Sequence, residues 1–209
     1  SAGSATIGHG LSSAPEMMIV RSRGANAWAV YHTSMGNTHL MELNTTAAKA
    51  DSNEFWNDTS PTNSVFTVAG HGEVNANNTG FIAYCFHSVT GYSKISSYTG
   101  NGSATGPSVT LGFAPAFLLI KSATQGEPWS LIDNMRTHPT AGLENVLSAN
   151  TTATETQYAV DLNSNGFQIK TTTGVLNANS QTYIYMAFAD TREYAYWLDQ
   201  SGNNNDWTS

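Results

Sequence analysis

The sequence predicts an all-β fold, an antiparallel β-sandwich built from two sequence-similar halves. Three observations carry that expectation. Gly, Ser, Thr and Asn are abundant and aromatics plentiful, while Lys and Arg total only 8 of 209 residues, a composition that favours strands and polar turns over helices. A stretch near the N-terminus recurs 100 positions later in the chain. Short apolar runs, each bounded by turn residues, follow one another throughout.

The repeat organises the chain. Ala14-Pro15-Glu16-Met17-Met18-Ile19-Val20-Arg21-Ser22 matches Ala114-Pro115-Ala116-Phe117-Leu118-Leu119-Ile120-Lys121-Ser122, apolar for apolar and basic for basic. Further matches run in the same order: Trp28 with Trp129, Asn44-Thr45-Thr46-Ala47 with Asn150-Thr151-Thr152-Ala153, and Phe66 with Phe167. Val74-Asn75-Ala76-Asn77 then pairs with Leu176-Asn177-Ala178-Asn179, Phe81-Ile82 with Tyr183-Ile184, and Phe86 with Phe188. The offset stays between 100 and 106.

Each half reads as an apolar strand after Pro, a Trp-centred strand, a strand near Phe66 or Phe167, and a long aromatic strand. The runs from Phe81 to Phe86 and from Tyr183 to Phe188 are nearly continuously apolar, as central strands are. Asn75 to Asn77 and Asn177 to Asn179 supply the turns before them. Two such sheets packed face to face bury both apolar faces together, so residues 1–191 are expected to form a single sandwich. Its half-repeats span about 7–100 and 107–191, joined by the turn-rich stretch Thr99 to Pro107. Thr45 to Asp51 offers a short helix, and Arg192 to Trp197 a helical turn within a C-terminal tail, 192–209.

Charge and motifs narrow the function. A net charge of −7 with no Lys/Arg cluster lacks the electrostatic footprint of a nucleic-acid binder. No apolar run reaches the length of a membrane-spanning helix. Cys85 is the sole cysteine, which rules out an internal disulfide, and its apolar neighbours suggest a buried thiol. Five Asn-x-Ser/Thr sequons, at Asn44, Asn57, Asn77, Asn101 and Asn150, are accounted for by the richness in Asn and Thr.

The sequence holds no nucleophile elbow, His-Glu-x-x-His, Cys-x-x-Cys or phosphate-binding loop, and Gly100 to Gly106 reads as a turn. No two carboxylates share an aromatic-rich strand in the manner of a glycosidase pair. Asp51, Asp58 and Asp161 sit in polar loops without a recognisable calcium pattern, so neither a catalytic residue, a metal nor a cofactor is expected. His9 and His71 read as turn positions. His32 is set opposite Asp133 by the repeat, and the divergence leaves that position open to a ligand-binding role or to an ordinary exposed strand end. Trp28 and Trp129, at matching positions, suggest paired core residues. Trp56, amid Asn53, Asn57 and Asp58, is the better platform for stacking a sugar ring. Trp56, His32 and Asp133 are thus the candidate ligand-binding residues.

Several of these blocks resemble a known domain. Gly10 to Pro15 with Met18 to Arg21, Trp28-Ala-Val-Tyr31-His32, Ile82-Ala-Tyr-Cys85-Phe86, Ser97-Tyr-Thr-Gly100-Asn-Gly102 and Phe113 to Lys121 are similar to a domain of marine bacteriophage structural proteins, over nearly the whole chain. The resemblance implies a concanavalin A-like jelly-roll module on the exterior of a virion, assembled in the host cytoplasm as part of a tail fibre or similar receptor-facing appendage. Its implied partners are other virion proteins, a host surface glycan or receptor, and further copies of itself, a trimer being favoured. Nucleic acid and membrane insertion are not implied. A purely architectural decoration or fibre-shaft domain is the alternative, and a polysaccharide depolymerase the third reading. No binding motif transfers residue by residue. Asp199 to Ser209 resembles the linker that leads such proteins into a further domain, and Tyr194, Tyr196 and Trp197 are expected to pack on this domain or on a neighbouring subunit, because large exposed aromatics cost solubility.

Overall fold

The computed structural model describes residues 3–136, 139–140 and 142–189. In the first half, β1 (Ala5–Gly8), β2 (Met17–Ser22), β3 (Trp28–His32) and a 3-10 turn (Thr33–Met35) precede β4 (His39–Glu42) and β5 (Ala50–Asp51); α1 (Asn53–Trp56), β6 (Val65–Val68) and β7 (Phe81–Phe86) complete it. The second half contains β8 (Ser93–Thr99), β9 (Ser108–Thr110), β10 (Pro115–Ser122), β11 (Ser130–Asp133) and β12 (Glu144–Ser148). It continues with β13 (Thr156–Tyr158), β14 (Val160–Asn163), β15 (Gly166–Ile169), α2 (Gly174–Asn177) and β16 (Thr182–Ala189).

The protein is an antiparallel β-sandwich, and its two halves share a strand order. One large sheet runs β5-β4-β3-β2-β7 and the other β13-β12-β11-β10-β16-β8; the small sheets are β1-β6 and β14-β15-β9. Registers agree as well. Met17 lies opposite His32 on one side and Phe86 on the other, as Phe117 lies opposite Asp133 and Phe188. The agreement is one of pairing and register; a duplication in the chain's history stays an inference from the sequence blocks.

Successive strand residues point to opposite faces, and both faces of the large sheets are buried. On the outer face of the first large sheet, Met18, Val20, Tyr31 and Leu40 pack with Phe66 and Val68 of its small sheet and with Phe55 and Trp56. The second half repeats this with Leu118, Ile120, Ile132, Phe167, Ile169 and Tyr185. The inner faces meet each other: Met17, Ile19, Val30 and Met41 pack against Leu119, Ile184, Met186 and Trp129. The expected face-to-face packing therefore holds between the large sheets, but each also has its own outer core. This is why β2 and β10 carry unbroken apolar runs where a sheet with one wet face would alternate.

One local expectation is corrected. Residues 45–49 form a loop, and the first-half helix lies at Asn53–Trp56. Ser52 Oγ accepts the Glu54 amide at 3.3 Å, and left-handed Asn57 ends the helix. Phe81–Phe86 is expected to be a central strand; among the described residues β7 pairs with β2 alone, with Ile82 47% and Tyr84 45% exposed. Its counterpart β16 is central because β8 covers it. The connector after β8 approaches α2 closely: a Cβ on Gly100 would lie 2.2 Å from the Ala178 carbonyl oxygen, which only glycine avoids. The tail readings for 192–209, including its helical turn and aromatic docking, lie outside the described residues.

Candidate functional site

The two matched tryptophans open β3 and precede β11, and each is held by the same clamp. Asn44 Oδ1 accepts the Trp28 amide at 2.8 Å while the Trp28 carbonyl accepts the Leu43 amide at 2.9 Å. Asn150 Oδ1 accepts the Trp129 amide at 2.9 Å while the Trp129 carbonyl accepts the Ala149 amide at 2.8 Å. An Asn side chain can replace a missing ladder partner in this way, because its carbonyl mimics the backbone. Each such bond contributes about 1 kcal/mol net. The next turn is also repeated, with Thr45 Oγ1 accepting from Ala47 and Thr151 Oγ1 from Ala153, both at 3.3 Å.

The two clamped loops face each other across the junction of the halves and enclose a cleft of about 720 Å³. Trp28, Leu43 and Asn44 line it from one half, and Ala149, Asn150, Thr151 and Thr152 from the other. That volume is in the range of ordinary ligand sites. The lining combines one large aromatic, two amides and two hydroxyls, without a carboxylate or a cation among these residues. Asn150 Nδ2 is buried without a hydrogen-bond partner, so on the Asn150 side chain it is Oδ1, held by the Trp129 amide, that fixes the loop, while the desolvation of Nδ2 is uncompensated.

The indoles have different fates. Trp129 is 1% exposed, belongs to the core between the large sheets, and donates Nε1 to the Glu42 carbonyl of the other half at 3.0 Å. Trp28 is half-buried, with the Arg21 guanidinium 5.4 Å from its ring centroid. Both indoles thus belong to the core between the large sheets, Trp129 enclosed within it and Trp28 packed at its border. One face of Trp28 carries the arginine, and the indole contributes to the cleft wall. Sequence reasoning missed this site because its residues are ordinary turn formers; the repeated Trp and Asn-Thr-Thr blocks were its one visible sign.

Two of the three candidate residues are corrected. Trp56 is fully buried, donates Nε1 to the His39 carbonyl at 3.1 Å and meets Tyr31 edge to face at 5.9 Å, which leaves no ring face for a sugar. Its polar neighbours misled: Asn57 and Asp58 are left-handed turn residues, while the four-residue helix turns Phe55 and Trp56 inward. His32 is also fully buried, neither an exposed strand end nor a ligand contact. Its Nδ1 accepts the Ser34 amide at 3.1 Å and its Nε2 lies 3.4 Å from the Tyr185 carbonyl, so the ring is neutral with the proton on Nε2. Burial lowers its pKa to about 4, against the opposing pull of the Tyr185 carbonyl and Glu16.

Asp133 performs the same capping role one half away, accepting the Met135 amide at 3.0 Å. It also binds Arg136 Nε at 2.6 Å, and Arg136 reaches Glu155 at 2.6 Å. Burial would raise the Asp133 carboxyl, but the Arg136 and Met135 hydrogen bonds and the guanidinium charge outweigh it and hold the group below its usual range. The shared requirement at this matched position is thus a cap acceptor, which His and Asp both supply. Neither residue lines the cleft.

The remaining candidates scatter. His9 and His71 sit at turns, each accepting through Nδ1 from the amide two residues on. Asp161 pairs with Lys170 at 2.9 Å, and exposed Asp51 lies 3.9 Å from His39. Among the described residues no three His, Cys, Asp or Glu side chains converge as metal ligands would. Cys85 is half-buried at the β7 edge rather than enclosed, and burial pushes its thiol up.

Comparison with known proteins adds a family. A family described as a domain of unknown function, DUF7483, matches residues 1–192. No curated protein and no solved structure matches the chain. The match spans both halves with the junction between them, and the chain belongs to the DUF7483 family.

Proposed function

We propose that this domain is a non-catalytic glycan-binding module of a bacteriophage appendage, and that the cleft between its halves holds the sugar. The observation that carries the binding reading is the half-buried Trp28 indole beside uncharged amides and hydroxyls in one cleft. A ring face covers the apolar side of a pyranose, and Asn and Thr groups bond its hydroxyls. The neutral lining suits an uncharged saccharide and supplies no acid–base pair of the kind hydrolysis needs. The sequence resemblance supports the virion setting, with other virion proteins and copies of this chain as neighbours.

Screening the full chain against host surface polysaccharides tests the reading. Binding is expected, with at least a tenfold loss on Trp28→Ala, since stacking on one indole is worth a kcal/mol or more (about 1.4 kcal/mol is tenfold). Undiminished binding by that variant would exclude the cleft. A second, architectural reading is favoured by β7, which among the described residues pairs on one side only, because unpaired strand edges pair readily with neighbouring chains. Under it the isolated domain binds neither host cells nor polysaccharide, and labelled particles carry the chain away from receptor-contacting tips.

A further inference from the structure

The clamps that hold the two tryptophans also decide which polar groups the cleft offers. Asn44 Oδ1 accepts the Trp28 amide at 2.8 Å and Asn150 Oδ1 the Trp129 amide at 2.9 Å. Each side-chain oxygen is thus committed to the backbone, and the nitrogen of the same planar group is turned away from it. Asn150 Nδ2 is buried, whereas Asn44 is exposed where it lines the cleft, so Asn44 brings N–H donors to the wall. Thr151 Oγ1 accepts the Ala153 amide at 3.3 Å, which directs its hydroxyl hydrogen elsewhere. Thr151 and Thr152 are both exposed. Leu43, Ala149 and the Trp28 indole supply the apolar part of the same wall.

Donors beside small apolar groups match some saccharides better than others. A ring hydroxyl has a proton to give as well as lone pairs, and a site for plain hydroxyls offers side-chain acceptors to take it. Here no carboxylate lines the cleft, and both amide oxygens are committed. A complementary ligand brings acceptors of its own, on a carboxylate, a sulfate ester or an acetamido group. The first two are anionic. A net charge of −7 repels polyanions, and no lysine or arginine lines the cleft; Arg21 lies over the Trp28 ring with Nη1 buried. An acetamido group is neutral, its carbonyl oxygen accepts, and its methyl is apolar.

On the glycan reading of the cleft, we propose that its ligand is a 2-acetamido sugar. The acetamido carbonyl accepts from Asn44 Nδ2, the methyl sits among the apolar groups, the Thr151 and Thr152 hydroxyls donate to sugar oxygens, and the pyranose ring covers the Trp28 indole. Asn44 then has two tasks at once: its oxygen holds the Trp28 backbone and its nitrogen selects the C2 substituent.

Matched oligosaccharides that differ only at C2 test this with the unaltered full chain: N-acetylglucosamine against glucose, and N-acetylgalactosamine against galactose, by calorimetry. The N-acetylated member of at least one pair should bind about tenfold tighter or more, the worth of one added hydrogen bond and one buried methyl. Asn44→Asp keeps an oxygen for the Trp28 amide and replaces the donor with an acceptor; its melting temperature should be unchanged and its preference at C2 lost. Equal affinities within each pair, no binding of any N-acetylated member, tighter binding of a sulfated or uronic acid oligosaccharide, or a C2 preference that survives in Asn44→Asp would each overturn the proposal. Equal affinities that both fall in Trp28→Ala would do so while leaving the cleft as the glycan site, whereas binding undiminished in Trp28→Ala would remove the cleft and the acetamido sugar together.

Discussion

The two halves place the same backbone around different environments, and the difference decides what each matched side chain does. Trp28 and Trp129 share one Asn clamp, yet Trp129 is sealed between the large sheets and Trp28 borders the cleft. Arg21 and Lys121 share a strand position, yet the arginine lies over an indole while the lysine is buried, donating Nζ to the Ser122 and Gln125 carbonyls at 2.8 and 3.1 Å. His32 and Asp133 both cap a turn, one in the core and one in an ion-pair network. Hydrogen-bond geometry is thus common to the halves, whereas burial depends on what packs against each of them.

The largest expected effect separates the tryptophans. Trp129→Ala should cost about 3–5 kcal/mol, the usual range for emptying a buried Trp site. Trp28→Ala should cost less, about 1–2 kcal/mol, from the lost packing of a half-buried indole at the core border and its contact with Arg21. Denaturant titration of both variants checks this, and equal costs would break the contrast between core and cleft.

His32 comes next and is read by pH. Its folded pKa is about 4, below the 6.5 of an exposed histidine, so the unfolded chain takes up the proton first as pH falls. Stability should drop between pH 6.5 and 4 by about 3 kcal/mol. His32→Asn keeps a cap acceptor but cannot titrate, and the variant should lose that share of the pH dependence. An unchanged profile would show that the loss belongs to other groups.

Smaller effects sharpen the clamp. Asn150→Ala should cost about 2 kcal/mol and Asn44→Ala about 1 kcal/mol, since each leaves a Trp amide unbonded and the one beside Trp129 is farther from water. The reverse order in thermal or chemical denaturation would contradict the burial difference. Smallest of all, Asp133→Asn should change stability by less than about 1 kcal/mol, because the Arg136 pair is partly solvated and Asn still caps the turn. Asp133→Ala, which removes the cap as well, should be the more costly of the two.

Strand identity was readable because β structure is written locally, in apolar runs and turn residues such as those around Met17–Ser22 and Pro115–Ser122. The paired positions were readable because the blocks recur in order. Trp56 was misread because local polarity says nothing about the direction of a side chain on a four-residue helix, and an apolar run such as Phe81–Phe86 does not by itself reveal which strands lie beside it. The cleft was not readable at all: Asn44 and Asn150 lie 106 positions apart, and only the packing of one large sheet on the other brings their loops together.

By itself, then, the sequence determined the all-β class, the order of the strands and the matched positions, since these follow from short-range patterning and from comparison of the chain with itself. The tertiary structure alone decided which face of each matched residue is covered. That choice depends on contacts between segments far apart in the chain: among the described residues β8 lies against β16 while β7 pairs with β2 alone, and the inner faces close over Trp129 but only border Trp28.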